Sequence, residues 1–248
     1  MKRLIAFDLD GTLAASKQPI RPDMAALLIS LLSVAVVAVI SGGDWPQFET
    51  QVADQLHSSD DLRNLFIMPT TGTKLYRFDG AWHLVYAQFL KPEERKRILK
   101  AVDHAVAEAG LKHERIWGEQ IEDRGSQITF SGLGQKAPLD AKQAWDPDFA
   151  KRKALQTLLR HALPNLSVNV GGSTSIDITQ KDVDKAYAMR RLAESSGIAT
   201  SDMLFIGDAI YPGGNDDPVR VAGIDIVAVR DVAETMSVIK AILACLKP

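Results

Sequence analysis

The chain alternates between short continuous apolar runs and longer stretches in which apolar positions recur every three or four residues. Leu4–Phe7, LIAF, is apolar throughout and stops at a glycine turn, the pattern of a buried strand. Residues 34–40, rich in β-branched side chains, repeat it and stop at Ser41-Gly42-Gly43; residues 203–206 stop at Gly207-Asp208, and residues 224–229 give a fourth run. Helical spacing is predicted over Pro22–Leu32, 46–57, 185–195 and Val232–Leu246. Strand, loop and helix in repetition predict an α/β fold: a parallel sheet with helices on both faces. In three of the runs polar residues cluster just past the strand's C-terminal end, the edge where open α/β sheets bind ligands.

Residues 24–40, MAALLISLLSVAVVAVI, are 17 positions without a charge. A spanning helix needs roughly 20. Ser33 divides the run into a helix and a strand, so no membrane segment is expected. Nor is a signal peptide, because Asp8 and Asp10 interrupt any apolar stretch at the N-terminus.

The middle of the chain changes rhythm. Residues 66–69, Lys74–Phe78 and 82–85 read as short strands, the last two joined by an Asp79-Gly80 hairpin turn. Pro92 opens a helix with an apolar stripe of Ile98, Leu99, Val102, Ala105, Val106 and Ala109 that stops at Gly110. Strands at 120–123 and Gln127–Ser131, a helix at 148–161, and strands at Leu166–Val170 and 175–179 follow. This is helix-strand-strand given twice, an α+β insert. The predicted division is a core of residues 1–82 and 183–248 around a cap at 83–182. There is no solenoid repeat or low-complexity tract.

Composition narrows the partners. With 248 residues, 46% hydrophobic and 24% charged, the chain is an ordinary globular protein that can bury its own core. A formal net charge of −2 gives no electrostatic reason to expect nucleic acid or an anionic membrane. Cys245 is the only cysteine, so no intrachain disulfide forms and a reducing, cytoplasmic setting is expected. The five histidines read as structural or solvated.

The strongest chemical signal is FDLDGTL, residues 7–13. Asp8 at the strand end can attack phosphorus and form an aspartyl-phosphate. Asp10 can protonate the leaving oxygen and then deprotonate the incoming hydroxyl. Gly11 allows the tight turn, and Thr12 can hydrogen-bond near the site. A carboxylate meeting a phosphate must overcome repulsion of about 4 kcal/mol per pair of unit charges at 4 Å, which Mg²⁺ bridging the two would reduce.

These residues resemble the first motif of the haloacid dehalogenase superfamily of phosphatases and phosphomutases, and three further motifs follow in order. Ser41 in VAVISGG matches the second, which binds the transferring phosphoryl group, with Gly42 beside it. Lys185 in VDKA matches the third, with Lys181 as a nearby competitor. Asp208 in LFIGD matches the fourth, and Asn215 and Asp216 in GGND follow it as supporting residues that orient Lys185 or metal-bound water. The resemblance implies a Rossmann-like core with an αββ-αββ cap, and Mg²⁺ held by Asp8, Asp10 and Asp208, hard oxygen ligands that suit this ion.

An insert after the second motif resembles the branch containing phosphomannomutases of the eukaryotic kind. The stretches DRGSQITFSGLGQ, GGSTSID and GGND carry that likeness. It implies that Arg124, Ser175 and Asp177 bind a phosphorylated sugar. Departures are equally plain: arginines of the mutase pattern fall on Gln135, near Lys142, and on Lys17. A mutase must hold a distal phosphate while the sugar reorients, and Gln135 brings no charge. The expectation is therefore a sugar-phosphate phosphatase, with phosphomannomutase as the alternative and a non-catalytic phosphometabolite-binding protein as a remote third. The related mutases dimerise through the cap, which puts a homodimer among the expectations.

Overall fold

The computed structural model describes residues 2–56, 60–112 and 115–246. Two compact units divide it: Met1–Ala87 with Asp184–Pro248, and Gln88–Val183. Strands are β1 (Leu4–Phe7), β2 (Val36–Ile40), β3 (Leu65–Met68), β4 (Lys74–Phe78), β5 (Trp82–Ala87) and β6 (Ile121–Asp123). They continue as β7 (Gln127–Ser131), β8 (Leu166–Val170), β9 (Ser175–Gln180), β10 (Met203–Gly207) and β11 (Asp225–Ala228).

The first unit holds a seven-stranded sheet in the order β11-β10-β1-β2-β3-β4-β5. β1 runs parallel to β10 and β2, while β4 and β5 pair antiparallel at one end. Alternation along β1 explains why its sequence is apolar throughout. Ile5 and Phe7 enter one hydrophobic cluster and Leu4 and Ala6 another, so both faces of the strand are buried. The apolar run at 24–40 divides as the pattern predicts, into the helix Pro22–Leu32 and β2. Among the described residues no helix is long and apolar enough to cross a membrane.

The structure moves three expectations. The first core segment extends from residue 82 to Ala87, because β5 pairs with β4 along its length. The helix expected over 46–57 ends at Gln51 and passes through Val52 into a short 3₁₀ turn, Ala53–Gln55; His57, like His113, lies outside the described residues. A short helix, Leu139–Trp145, precedes Ala150–Ala162. Its Trp145 lies against Gly132, where an added Cβ would run into the indole.

In the second unit a four-stranded antiparallel sheet runs β6-β7-β9-β8. The registers Ile128↔Ile178 and Phe130↔Ile176 put the apolar residues on one face, where they join a cluster with Ile98, Val102, Leu155 and Leu159 of the helices. Thr129↔Asp177 and Ser131↔Ser175 put polar residues on the other.

One connection is unusual. After β3 the chain passes through Pro69–Gly72, where Thr70 (φ 49°, ψ 45°) and Thr71 (φ 56°, ψ 39°) are both left-handed. Such conformations cost β-branched residues roughly 1–3 kcal/mol each.

Candidate active site

Asp8 stands one residue beyond β1, its N–H donating to the Ile206 carbonyl at 3.0 Å, and is almost fully buried. The parallel register Phe7↔Ile206 brings the end of β10 alongside, so Gly207 and Asp208 follow at the same edge. The register Phe7↔Val39 places Ser41 at that edge on the other side, also buried. Residues 200 apart in the chain thus meet because parallel strands end together.

Lys185 opens the helix Lys185–Ser196, whose N-cap Asp184 accepts the Tyr187 N–H at 2.7 Å. Its buried ammonium donates to both Asp8 Oδ1 and Asp216 Oδ1. Lys181 is exposed, so of the two lysines it is Lys185 that reaches the carboxylates. Asp216 is fully buried and its second oxygen accepts the Ala209 N–H at 3.0 Å. Both its oxygens are therefore engaged in holding Lys185 and the loop. Asn215, next in the chain, is exposed.

Asp208 is half-buried and accepts from the Thr12 hydroxyl at 3.3 Å. Gly11, at φ +92°, is required here: a Cβ would meet Asp208 Oδ2 at 2.5 Å. Asp8, Asp208 and Asp216 bring carboxylate oxygens within 4.8 Å of one another. Burial pushes the Asp8 carboxyl up to about 8; Lys185 opposes the rise, and the Asp216 and Asp208 charges add to it. Burial would lower Lys185, but Asp216 and Asp8 outweigh it and hold the ammonium above its ordinary range. Burial and the Asp216 charge also raise Asp208, against Lys185. Three carboxylates thus face one ammonium, an excess of negative charge that a divalent cation would neutralise. The donors are hard oxygens, which fit Mg²⁺.

The Asp10 carboxylate is held by three N–H donors. Its Oδ1 accepts from Lys17 N at 2.8 Å and Gln51 Nε2 at 3.2 Å, and its Oδ2 from Gln47 Nε2 at 3.1 Å. Among the described residues, the three carboxylates closest to one another are Asp8, Asp208 and Asp216. Lys17 contributes through its backbone, at φ 58°.

Gln47 and Gln51 were not legible as functional residues from the sequence. Their only signal is i, i+4 spacing on the helix Trp45–Gln51 that follows Ser41-Gly42-Gly43. Gln51 also donates to the Gln18 carbonyl at 2.6 Å, fastening the loop after Asp10.

The predicted sugar-binding residues collect within the second unit. Arg124 is buried and its guanidinium donates to Glu122 at 2.7 Å. Asp177 accepts from the Thr129 hydroxyl at 2.7 Å, which in turn accepts from Gln127 Nε2 at 2.9 Å. Ser175 pairs with Ser131 on the same polar face. Gln135 lies apart from these strands, its N–H donating to Glu119 and its carbonyl accepting from Lys142 Nζ at 3.3 Å.

A phosphomannomutase of Dendrobium officinale is 26% identical over 243 residues, covering 93% of this chain and 91% of that one. Among solved structures, an N-terminally truncated IMP-nucleotidase of Plasmodium falciparum superposes with TM-score 0.76 at 16% identity, over 99% of this chain and 71% of the other. A haloacid dehalogenase-like hydrolase of Bacteroides thetaiotaomicron gives TM-score 0.65 at 18% identity, over 98% and 100%. The family profile of haloacid dehalogenase-like hydrolases matches residues 5–211, from β1 to the loop beyond Asp208. A match across that much of the chain, on a fold that brings Asp8, Lys185 and Asp208 to one edge, makes this protein a member of the haloacid dehalogenase-like hydrolase family.

Proposed function

We propose that this enzyme hydrolyses a sugar phosphate through an aspartyl-phosphate on Asp8. The observation that carries the reading is the buried contact of Lys185 with Asp8 and Asp216, beside Asp208. Asp8, Asp10 and Asp208 would hold Mg²⁺, which when bound offsets the negative charge between nucleophile and phosphate.

The Asp8 carboxylate attacks phosphorus and the bond to the sugar oxygen breaks. Asp10 gives that oxygen a proton, then removes one from the water that hydrolyses the phosphoaspartate and frees inorganic phosphate. With one amide donor on its Oδ2, the Asp10 carboxylate keeps acceptor capacity for the reacting group. Ser41 and Gly42 bind the phosphoryl oxygens. Lys185 balances charge as phosphate is transferred to Asp8. Arg124, Ser175 and Asp177 bind the rest of the substrate. A cytoplasmic setting and a homodimer through the cap belong to the same reading.

A second reading has a specific support: the 26% identity to a phosphomannomutase over nearly the whole chain. The two share the first half-reaction and differ in whether water or a sugar hydroxyl accepts the phosphoryl group. A sugar-phosphate panel with Mg²⁺, scored in parallel for phosphate release and isomerisation, separates them. Release abolished by chelation and by Asp8→Asn is the expected result. Isomerisation of mannose 1- and 6-phosphate that requires a bisphosphate activator would favour the mutase. No turnover, or equal turnover by Asp8→Asn, would contradict both.

A further inference from the structure

The turn between β3 and β4 takes no part in the chemistry above, yet its backbone holds an unfavourable conformation at two successive residues. Thr70 and Thr71 are left-handed in succession, although β-branched side chains disfavour that region. A conformation of this kind persists only where surrounding bonds impose it. Here the bonds run to the loop that begins at Ser41. The Thr71 N–H donates to the Ser41 carbonyl at 2.9 Å, and the Thr70 N–H to the Gly43 carbonyl at 2.8 Å. The Thr73 hydroxyl closes the turn, 2.8 Å from the Thr70 carbonyl and 2.6 Å from Thr70 Oγ1. Lys74 then donates to Asp44 Oδ1 at 2.6 Å, with only 10% and 19% of the two side chains exposed. The same oxygen accepts the Trp45 N–H at 2.8 Å, starting the helix that carries Gln47 and Gln51.

One short turn therefore holds three points of residues 41–44. In a trans peptide the N–H points opposite to the carbonyl sharing its plane. Pinning the Ser41 carbonyl turns the Gly42 N–H away from the threonines, and pinning the Gly43 carbonyl does the same for the Asp44 N–H. Backbone N–H groups fixed in direction, here those of Gly42 and Asp44, are what an anionic oxygen needs.

We infer that the Thr70–Lys74 turn is the positioning device of the phosphoryl-binding loop, setting the direction of its N–H groups through Ser41, Gly43 and Asp44. This deepens the phosphoryl-transfer reading and rests on it. Thr70, Thr71, Thr73 and Lys74 act through the loop and do not touch the reacting atoms.

The test compares Thr73→Val, which removes the closing hydroxyl at nearly constant shape, with Lys74→Met, which removes the ammonium, and Lys74→Arg, which keeps charge. Four readouts are taken: amide hydrogen exchange of peptides spanning 41–44, the affinity for inorganic phosphate in Mg²⁺, kcat and KM for an aryl phosphate, and the thermal midpoint. Misplacement of a binding loop by a fraction of an ångström predicts about tenfold faster exchange, about tenfold weaker phosphate binding and a KM raised in step for Lys74→Met. Thr73→Val shifts all three the same way by less, and Lys74→Arg restores most of the affinity. Exchange at 41–44 and phosphate affinity within twofold of wild type in both Thr73→Val and Lys74→Met would overturn the inference, whatever the thermal midpoint does. So would a wild-type protein that binds no phosphate. If wild type lacks turnover while exchange and phosphate affinity still respond, the turnover reading fails and the positioning role stands. Should Lys74→Met not fold, Thr73→Val and Lys74→Arg decide.

Discussion

In the first unit Asp8, Asp208 and Asp216 come from the ends of two neighbouring parallel strands and the loop after one of them, and Asp8 and Asp216 share one buried lysine. In the second, Arg124, Ser175 and Asp177 lie on or beside antiparallel strands, and each is bonded or paired within its own sheet. The first arrangement is fixed by topology: wherever β1 and β10 run parallel in this register, their carboxylates converge. The second is fixed by side-chain identity on an alternating face, where a polar residue can change and leave the strands intact. On the proposed function, reaction type would belong to the first region and substrate choice to the second, and the two should then respond differently to substitution.

The largest effect expected is on turnover. Asp8→Asn keeps shape and removes the nucleophile, so kcat should fall by at least about 10³-fold while circular dichroism stays unchanged. Retained activity would detach the chemistry from the strand-end site.

Lys185→Met should act on folding as well. It leaves Asp8 and Asp216 buried without their cation, a change that costs about 3–5 kcal/mol. Denaturant unfolding without metal measures it. Saturating Mg²⁺ should recover part of the loss, by about 2.7 kcal/mol at a hundred times its Kd. An unchanged unfolding midpoint would mean the pair is not what holds this edge.

The metal-free protein should lose stability as pH rises. The Asp8 pKa is raised from 3.8 unfolded to about 8 folded, so the folded state binds the extra proton between these values. Stability contributed by that proton is full below about 4, declines as pH rises toward 8, and is flat above. The slope is at most about 1.4 kcal/mol per pH unit. Thermal midpoints from pH 5 to 8 should fall for wild type without metal and much less for Asp8→Asn.

The smallest effect separates the regions most cleanly. Arg124→Lys keeps charge but loses the planar fork. It should raise KM for the preferred sugar phosphate by about 3- to 10-fold with kcat and unfolding midpoint nearly constant. A fall in kcat with unchanged KM would place Arg124 in the chemistry.

The sequence made the first region legible because its signals are local. LIAF before Asp8, the split at Ser33 and the stripe of Val232–Leu246 are each decided within one element. Residues placed by tertiary contacts were not legible. The β4–β5 hairpin is legible at Asp79-Gly80, but the continuation of β5 to Ala87, paired with Lys74, is not. The Asp10 carboxylate turns toward Gln47 and Gln51 because a distant helix supplies two amides. Left-handed Thr70 and Thr71 oppose their own propensities, so no turn signal announces them.

The central claim is a covalent phosphoaspartate on Asp8, and labelling tests it most directly. The enzyme is mixed with ³²P-labelled substrate and Mg²⁺, quenched in acid, digested, and the labelled peptide sequenced by mass spectrometry. The account predicts label on Asp8 that hydroxylamine removes and that Asp8→Asn lacks. Turnover at full rate with no label on Asp8, or label on another residue, would contradict it.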